Sequence, residues 1–181
     1  MTTDIEFLKY PIGKFQVPQI ISAQDIEEAK QVLRSFPTHL FTAISSFSPV
    51  QLDTPYRPGG WTVRQVIHHC ADSHMNAFIR FKLALTEDQP TVKPYDEGAW
   101  ANLADYSMLV EDSLHLIRII HSKWSLLLDS MESADFQKTY FHPESKKIQK
   151  LEEVTLMYAW HSSHHLAHIQ HLSIRENWTS K

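Results

Sequence analysis

Apolar residues recur with a helical period in four long segments of the chain. The segments cover residues 22–46, 62–86, 109–131 and 151–175. In the second segment the apolar stripe consists of Val63, Val66, Ile67, Cys70, Phe78, Phe81 and Leu85. A stripe at this spacing is typical of an amphipathic helix with one buried face. Four such helices, each of roughly 20 to 25 residues, predict an all-α four-helix bundle.

The segments between the predicted helices differ in length and in turn chemistry. Residues 87–107 contain two prolines and are long enough to cross the bundle between the second and third helices. In residues 139–150, apolar and polar positions alternate on both sides of a Pro-Glu-Ser turn. This pattern predicts a small hairpin before the last helix. Residues 1–21 predict an extended N-terminal arm. We therefore expect the whole chain, residues 1–181, to form one domain.

The first predicted helix has a clear start and an internal breaker. Ser22, followed by Asp25, matches a capping box. Pro37 lies in the middle of the apolar period, and a proline there removes a backbone hydrogen bond. The sequence therefore predicts that this helix is kinked or split at Pro37.

Composition narrows the classes of function. The chain has 17 basic and 21 acidic residues, so it has no basic excess for binding nucleic acid. No segment approaches the roughly 18 apolar residues that a membrane span needs. The single cysteine, Cys70, excludes a disulfide framework and a C-x-x-C redox pair. We interpret Cys70 as a core residue rather than a reactive thiol, and we expect a cytoplasmic protein.

The 12 histidines are the unusual feature of the composition. His161 and His165 lie four residues apart, near the centre of the apolar stripe of the last helix. Two imidazoles at this spacing stack on one helix face, where they can bind the same metal ion. Burying them without such a role is costly, because each ring nitrogen needs a partner. His164 and His171 project toward the opposite side, and His168 lies at the edge of the stripe.

A catalytic metal site needs a third protein ligand and an open coordination position. The second helix offers His68, His69 and His74. The apolar period favours His74, which lies within the stripe, whereas the other two flank it. In the third helix, His121 also faces inward. Periodicity therefore leaves the third ligand open.

The remaining candidates have simpler structural interpretations. The chain has no G-x-S-x-G element that would activate a nucleophilic serine. Asp96 and Glu97 are candidates for a general base at the mouth of the bundle, although a solvated loop is the more common explanation. Surface or loop positions are predicted for His39, His115 and His142. Core or pocket-wall positions are predicted for Trp61, Trp100, Trp124 and Trp160.

Two spaced motifs connect the second helix with the last one. They are W-x7-H, from Trp61 to His69, and H-x3-H, from His161 to His165. The first lies in PYRPGGWTVRQVIHHCADSHMNAFIRFKLALTE and the second in HSSHHLAH, with YPIG, KPYDEGAW and FHPE elsewhere in the chain. Together these stretches resemble the DinB/YfiT-like family of metal-dependent hydrolases, and most closely its YfiT branch. The resemblance covers nearly the whole chain.

The resemblance implies a four-helix bundle that carries one divalent metal ion. The ligands that it implies are His69, His161 and His165. It thereby selects one of the three histidines of the second helix. The alternative register would place His164 and His168 at the metal instead.

The predicted activity is hydrolysis of a small molecule by a water that the metal ion activates. Zinc and nickel are the metals most expected at three imidazoles. Relatives that transfer a low-molecular-weight thiol, such as bacillithiol, make a metal-dependent thiol S-transferase of detoxification the alternative. A non-catalytic metal-binding stress-response bundle is the second alternative. The apolar residues of the arm need burial, either in a homodimer interface or on their own bundle. The resemblance favours a homodimer.

Overall fold

The computed structural model describes residues 5–178, and its four long helices are the predicted ones. The long helices are α2 (Ala23–Ile44), α4 (Val63–Thr86), α6 (Val110–Ser130) and α8 (Leu151–Arg175). The short elements are α1 (Ile5–Lys9), α3 (Pro49–Leu52), α5 (Glu97–Trp100), a 3-10 turn (Ala104–Ser107), α7 (Ser133–Phe136) and the strands β1 (Thr139–His142) and β2 (Lys147–Lys150). The prediction of a four-helix bundle is confirmed.

Helices α4 and α6 run parallel to each other. The Arg64 side chain, in the first turn of α4, donates to the carbonyl of Met108 just before α6 begins. Further along both helices, His74 contacts His121. The connection through residues 87–109 must therefore return along the length of the bundle, which confirms the predicted crossover.

Helices α4 and α8 run antiparallel. His69, early in α4, packs against His165 in the second half of α8, with ring centres 4.9 Å apart. Ser73, one turn later in α4, bonds Tyr158, which lies earlier in α8. This pairing brings the histidine-rich halves of the two helices to the same level of the bundle.

The predicted hairpin forms and is tied to the crossover. Strands β1 and β2 pair antiparallel, with Thr139 opposite Lys150. The Val92 N–H donates to the carbonyl of Phe141 at 3.0 Å, and the Phe141 N–H donates to the carbonyl of Pro90 at 2.9 Å. The crossover and the hairpin therefore form one wall beside the bundle.

The buried apolar side chains form two clusters, one toward each end of the bundle. The first cluster includes Leu33, Phe81, Trp124 and Leu151. The second includes Leu40, Ile67, Ile117 and Leu172. His74 and His121 are buried at positions of α4 and α6 that fall between these clusters, so a polar layer crosses the middle of the core. Within residues 5–178, no helix is long and apolar enough to span a membrane.

The N-terminal arm, residues 1–21, is not wholly extended as predicted. Its described part begins with the single turn of α1 and then packs along α8. Phe7 stacks on His171 with ring centres 5.5 Å apart, and the Trp160 Nε1–H donates to the carbonyl of Gly13 at 3.3 Å. A helical turn satisfies its own backbone hydrogen bonds and still allows Phe7 to contact α8. This explains why the described part of the arm begins with a helical turn and not with an extended segment. The homodimer stays a prediction.

Pro37 does not split α2, although a split was one of the two outcomes that the sequence predicted. The helix continues from Ala23 to Ile44 with Pro37 inside it. A proline has no N–H to donate to the carbonyl four residues earlier, here that of Leu33. That carbonyl accepts a hydrogen bond from His121 Nδ1 at 2.6 Å instead. A side chain of α6 thus replaces the missing backbone donor, so the helix keeps its hydrogen bonding without a break.

Removal of any bound metal should leave the bundle folded. The two apolar clusters bury enough surface in a chain of 181 residues to hold the helices together without a metal. We expect chelator-treated protein to keep most of its helical far-ultraviolet circular dichroism. Adding metal back should raise the melting temperature, because the ion binds the native state preferentially. Loss of most of the helical signal on chelation would contradict this prediction.

Candidate metal centre

His69 of α4 and the pair His161 and His165 of α8 meet between the two helices. One ring nitrogen of each residue lies within 4.8 Å of the other two. The Nε2 atoms of His69 and His161 are 3.3 Å apart. Two nitrogens bound to one tetrahedral metal ion at about 2.05 Å are separated by about 3.3 Å, so the observed spacing fits such an ion. Metal binding by these three residues stays a prediction, and their geometry supports it.

Local helix geometry explains both spaced motifs. His161 and His165 are one turn apart on α8, which leaves their ring centres 4.4 Å apart. Thr62 caps α4 with a capping box, so the helix begins at Val63, two residues after Trp61. His69 follows about two turns later. Its ring then packs against Trp61 with centres 4.7 Å apart, so the tryptophan forms a wall beside the candidate ligand.

Three further contacts link His161 to the backbone of α2. His161 Nδ1 lies 3.1 Å from His74 Nε2, and His74 Nδ1 lies 2.7 Å from His121 Nε2. His121 Nδ1 lies 2.6 Å from the carbonyl of Leu33. This hydrogen-bonded chain passes through α8, α4 and α6 and ends on α2, so all four long helices contribute to it.

The Leu33 carbonyl, at the end of this series of hydrogen bonds, determines where each proton lies. The Leu33 carbonyl can only accept, so His121 Nδ1 donates and its Nε2 accepts from His74 Nδ1–H. His74 Nε2 then accepts from His161 Nδ1–H. This is the one arrangement of neutral rings that satisfies every contact. It leaves the Nε2 lone pair of His161 directed at His69 and at the predicted metal position, which is how outer hydrogen bonds orient a metal-binding histidine.

Burial keeps the imidazoles of the centre neutral. It lowers the pKa of His69 and of His121 to about 4. Burial, reinforced by neighbouring imidazoles, holds the pKa values of His74, His161 and His165 well below the usual 6.5. A histidine must be neutral to bind a metal, so no proton has to be displaced near neutral pH.

The alternative pair, His164 and His168, lies in a different environment. His164 is buried, not directed away from the protein, and its ring stacks on Trp160 with centres 4.5 Å apart. The His168 Nε2–H donates to the carbonyl of Lys9 at 3.1 Å. The Tyr56 ring stacks on the His168 ring, with ring centres 3.9 Å apart. One nitrogen of His168 is therefore already engaged by the N-terminal arm.

The other histidines of the second and third helices do not join the three-histidine cluster. His74, which periodicity favoured as the third ligand, has both ring nitrogens engaged by His121 and His161. His68 turns toward α6, where its Nδ1 lies 2.7 Å from the hydroxyl of Ser113. The periodic pattern correctly indicated that His74 is buried, and in the structure its ring contacts the candidate ligand His161.

A cavity of about 350 Å³ opens beside the three histidines. Its other walls include Trp61, Ser73, Tyr95, Tyr158 and Trp160. Helices α4 and α8 therefore form one side, and the crossover and the hairpin close the other. The cavity is large enough for a small molecule and gives it access to the centre.

Some of the remaining polar candidates line this cavity and others do not. Glu97 lines it, whereas the Asp96 carboxylate caps α5 by accepting a backbone N–H at 2.8 Å. His142 is half-buried in β1 and also lines the cavity, contrary to its predicted surface or loop position. The hairpin folds over the centre and turns this residue inward. His39 and His115 are exposed, as predicted.

Cys70 and three of the four tryptophans agree with their structural interpretations, whereas Trp100 lies neither in the buried core nor in the lining of the cavity. Cys70 is fully buried, and burial raises the pKa of its thiol. Trp124 lies in the core, while Trp61 and Trp160 are walls of the cavity. Trp100 is half-buried against a neighbouring tyrosine, with ring centres 4.3 Å apart.

Sequence analysis missed Arg80, which also lines the cavity. A signal was present, since Arg80 lies three residues after Ala77 and four before Ala84 on the buried face of α4. A basic residue at an apolar helical position is uncommon without a partner. Ser73 and Tyr95 carried no comparable signal, because only the tertiary structure places them at the same wall.

The fold and the centre together define a class: helical bundles with a three-histidine constellation at the wall of a polar cavity. The sequence profile of the DinB superfamily matches residues 25–169. The chain belongs to this superfamily.

Relatives cover nearly the entire chain. YfiT of Bacillus subtilis, named as a candidate metal-dependent hydrolase, is 46% identical over 173 residues, which are 95% of this chain and 97% of YfiT. A Bacillus mycoides protein with the same kind of name is 50% identical over 171 residues, covering 94% of this chain and 98% of its own. The solved structure of Bacillus subtilis YfiT, described as having an unusual four-helix bundle topology, matches with a TM-score of 0.93 and covers 96% of this chain and 99% of that one.

Replacing His165 by alanine should abolish stoichiometric metal binding, because only two nitrogens of the cluster would remain. His171→Ala is the matched control, since His171 is on the same helix but stacks on Phe7 outside the cluster. Metal content of purified protein, measured by mass spectrometry, tests both variants. The ligand register would be wrong if a His164→Ala/His168→Ala variant lost the metal while His165→Ala kept it.

Replacing His121 by phenylalanine should weaken metal binding by about 10- to 100-fold. The variant keeps a ring in the core but removes the acceptor that fixes the proton of His74, so His161 loses its defined tautomer. Competition with a chromophoric chelator measures the affinity. His115→Phe, an exposed change on the same helix, is the control. Unchanged affinity in a folded His121→Phe protein would contradict the hydrogen-bonded chain described above.

Proposed function

We propose that the protein is a metal-dependent hydrolase that acts on a small molecule in the cytoplasm. The observation that carries the proposal is the cluster of His69, His161 and His165 at the wall of the cavity. Three neutral imidazoles leave a divalent ion its full charge and leave part of its coordination sphere free. We propose zinc or nickel as the ion, since both suit imidazole ligands.

A bound divalent ion supplies Lewis-acid chemistry, which lowers the pKa of water and polarises a substrate carbonyl or phosphoryl oxygen. The chain's own residues hold and orient that chemistry. His161 is held in one tautomer by His74, and Trp61 limits the movement of His69. The aromatic walls, including Trp160, exclude water from part of the cavity and strengthen electrostatic interactions there.

Two polar groups of the chain lie where they can exchange a proton with a substrate in the cavity. They are the carboxylate of Glu97 and the imidazole of His142. Burial, together with the positive charge of Arg80, lowers the pKa of His142. His142 is therefore neutral near pH 7 and suited to accept a proton. Glu97 was a sequence-based candidate for this role, and its place in the cavity supports it more than that of Asp96.

A thiol S-transferase is the rival proposal, because it would use the same three histidines and the same cavity. The two activities differ in their reactants, since a transferase needs a low-molecular-weight thiol and an electrophile. Metal-loaded protein should therefore be screened against esters and amides with no thiol, and against an electrophile with bacillithiol or glutathione. Turnover of esters or amides without thiol supports hydrolysis. Turnover that requires the thiol supports the transferase, and silence in both screens with tight metal binding supports a non-catalytic bundle.

Metal content and hydrolytic activity should fall together on the acid side, at a lower pH than for free imidazole. The pKa of His69 is about 4 in the folded protein and about 6.5 in an unfolded chain. Protons therefore compete with the metal only as the pH falls well below 6.5 toward 4. In the metal-free protein, the unfolded state binds more protons over the same window, so the melting temperature should also fall as the pH decreases.

A pH–rate profile with metal content assayed at each point checks this expectation. We expect near-stoichiometric metal at pH 6 and its release toward pH 4. His39→Ala, which changes an exposed histidine, is the control and should leave the profile unchanged. Full activity at a pH at which the metal has been released would rule out the metal centre as the site of reaction.

A further inference from the structure

Arg80 is a buried cation in the wall of the cavity. It is 8% exposed and lies on α4, about three turns beyond His69. Within residues 5–178, no carboxylate lies within ion-pairing distance of its guanidinium group. A buried charge is costly unless it is paired and hydrogen-bonded, so a cation in this position needs an explanation.

The hydrogen bonding of Arg80 within the described chain uses only part of the N–H donors of its guanidinium group. Its Nη2 donates to the carbonyl of Lys93 in the crossover at 3.2 Å. A guanidinium group has five N–H donors in a planar fork. This contact ties the side chain to the crossover and leaves donors for a ligand in the cavity.

Four titratable side chains of the described residues have a direct electrostatic interaction with Arg80, and burial keeps all four neutral near pH 7. They are Tyr95, Tyr140, His142 and Tyr158. Within the described chain, the Nδ1 of His142 has no hydrogen-bond partner. The wall around Arg80 therefore offers a positive charge and an unused imidazole nitrogen, and among the described residues the glutamates that line the cavity do not ion-pair with that charge.

We propose that Arg80 forms a subsite for one anionic group, a carboxylate or a phosphoryl group, of the molecule that occupies the cavity. A guanidinium fork matches the paired oxygens of either group. The inference rests on the proposed function in one respect, since it takes that molecule to be the substrate of the three-histidine centre. Anion binding by the cavity can be tested without that assumption.

Tyr158 relates the anion subsite to the centre. Arg80 and Tyr158 both line the cavity, and the Tyr158 ring centre lies 5.5 Å from that of His161. The subsite and the candidate metal ligands therefore belong to the wall of one cavity. A substrate whose anionic group binds Arg80 would extend along this cavity toward the three histidines.

The opposite side of the cavity favours a single anionic group. Glu97 and Glu144 line it and are exposed toward solvent. Their negative charges repel a second anionic group at the mouth, while the buried cation attracts one inside. We therefore expect ligands with one anionic group to bind better than ligands of similar size with two anionic groups.

Ligand titrations of metal-free protein test the subsite separately from catalysis. The probes are butyrate, its neutral isostere butyramide, methyl phosphate and succinate, followed by NMR of 15N-labelled protein that includes the Arg80 guanidinium signal. Butyrate or methyl phosphate should bind at least about tenfold more tightly than butyramide, because a charged hydrogen bond is lost in the amide. The stronger of the two anions identifies the carboxylate or the phosphoryl group as the preferred ligand, and succinate should bind more weakly than butyrate.

Two variants and a control complete the experiment. Arg80→Met should reduce anion affinity about tenfold or more and leave butyramide binding unchanged, while Arg80→Lys should cause a smaller loss because it keeps the charge without the fork. Arg118→Met, an exposed change on α6, should have no effect. If Arg80→Met does not fold, Arg80→Lys and the shift of the wild-type guanidinium signal still decide the question.

Equal affinity for butyrate and butyramide, or anion binding that does not perturb Arg80, would overturn the subsite. Repeating the titration with zinc-loaded protein shows whether the anion also binds the metal. Anion binding at Arg80 without any hydrolysis would support the subsite and count against the proposed function. Hydrolysis without a preference for anionic ligands would support the proposed function and count against the subsite.

Discussion

The hydrogen bond from His121 to the carbonyl of Leu33 is the interaction on which the arrangement of the centre depends. Pro37 makes it available, because a proline cannot donate to the carbonyl four residues before it. A carbonyl only accepts, so it sets the proton positions through His74 to His161. A residue that interrupts backbone hydrogen bonding in one helix thus orients a candidate metal ligand on another.

Desolvation is the second constraint, and it acts on the same residues. The polar layer lies between two apolar clusters, where the charged form of an imidazole is disfavoured. The histidines therefore stay neutral and keep the lone pairs that a metal requires. The same burial would be costly for rings without partners, and the hydrogen-bonded chain supplies partners for both nitrogens of His74 and His121.

The long helices carry the candidate metal ligands, and the irregular segments form the outer wall of the cavity. Regular helices hold His69, His161 and His165, whose positions must be accurate to fractions of an ångström for metal binding. The crossover and the hairpin form the outer wall of the cavity and contribute Glu97 and His142. Because α4 and α6 are parallel, the crossover has to travel back along the bundle, and this topology carries it past the centre. A scaffold of this kind allows the substrate-facing wall to vary while the centre stays rigid.

The sequence alone determined the four long helices and the pairing of His161 with His165, because both depend on spacing within a single helix. It also predicted the start of α4, because the second apolar segment begins at residue 62 and the helix begins at Val63. It did not decide between His69 and His74 by periodicity, since a projection places a residue on a face without showing which neighbour that face meets. The resemblance to a family favoured His69, and the packing of α4 between α6 and α8 explains why. The inward position of His142 and the intact helix at Pro37 were decided by the tertiary structure alone, because each depends on a partner from a segment distant in sequence. The spacing along α4 places Arg80 on the buried face, but only the tertiary structure brings this charge into the wall of the cavity.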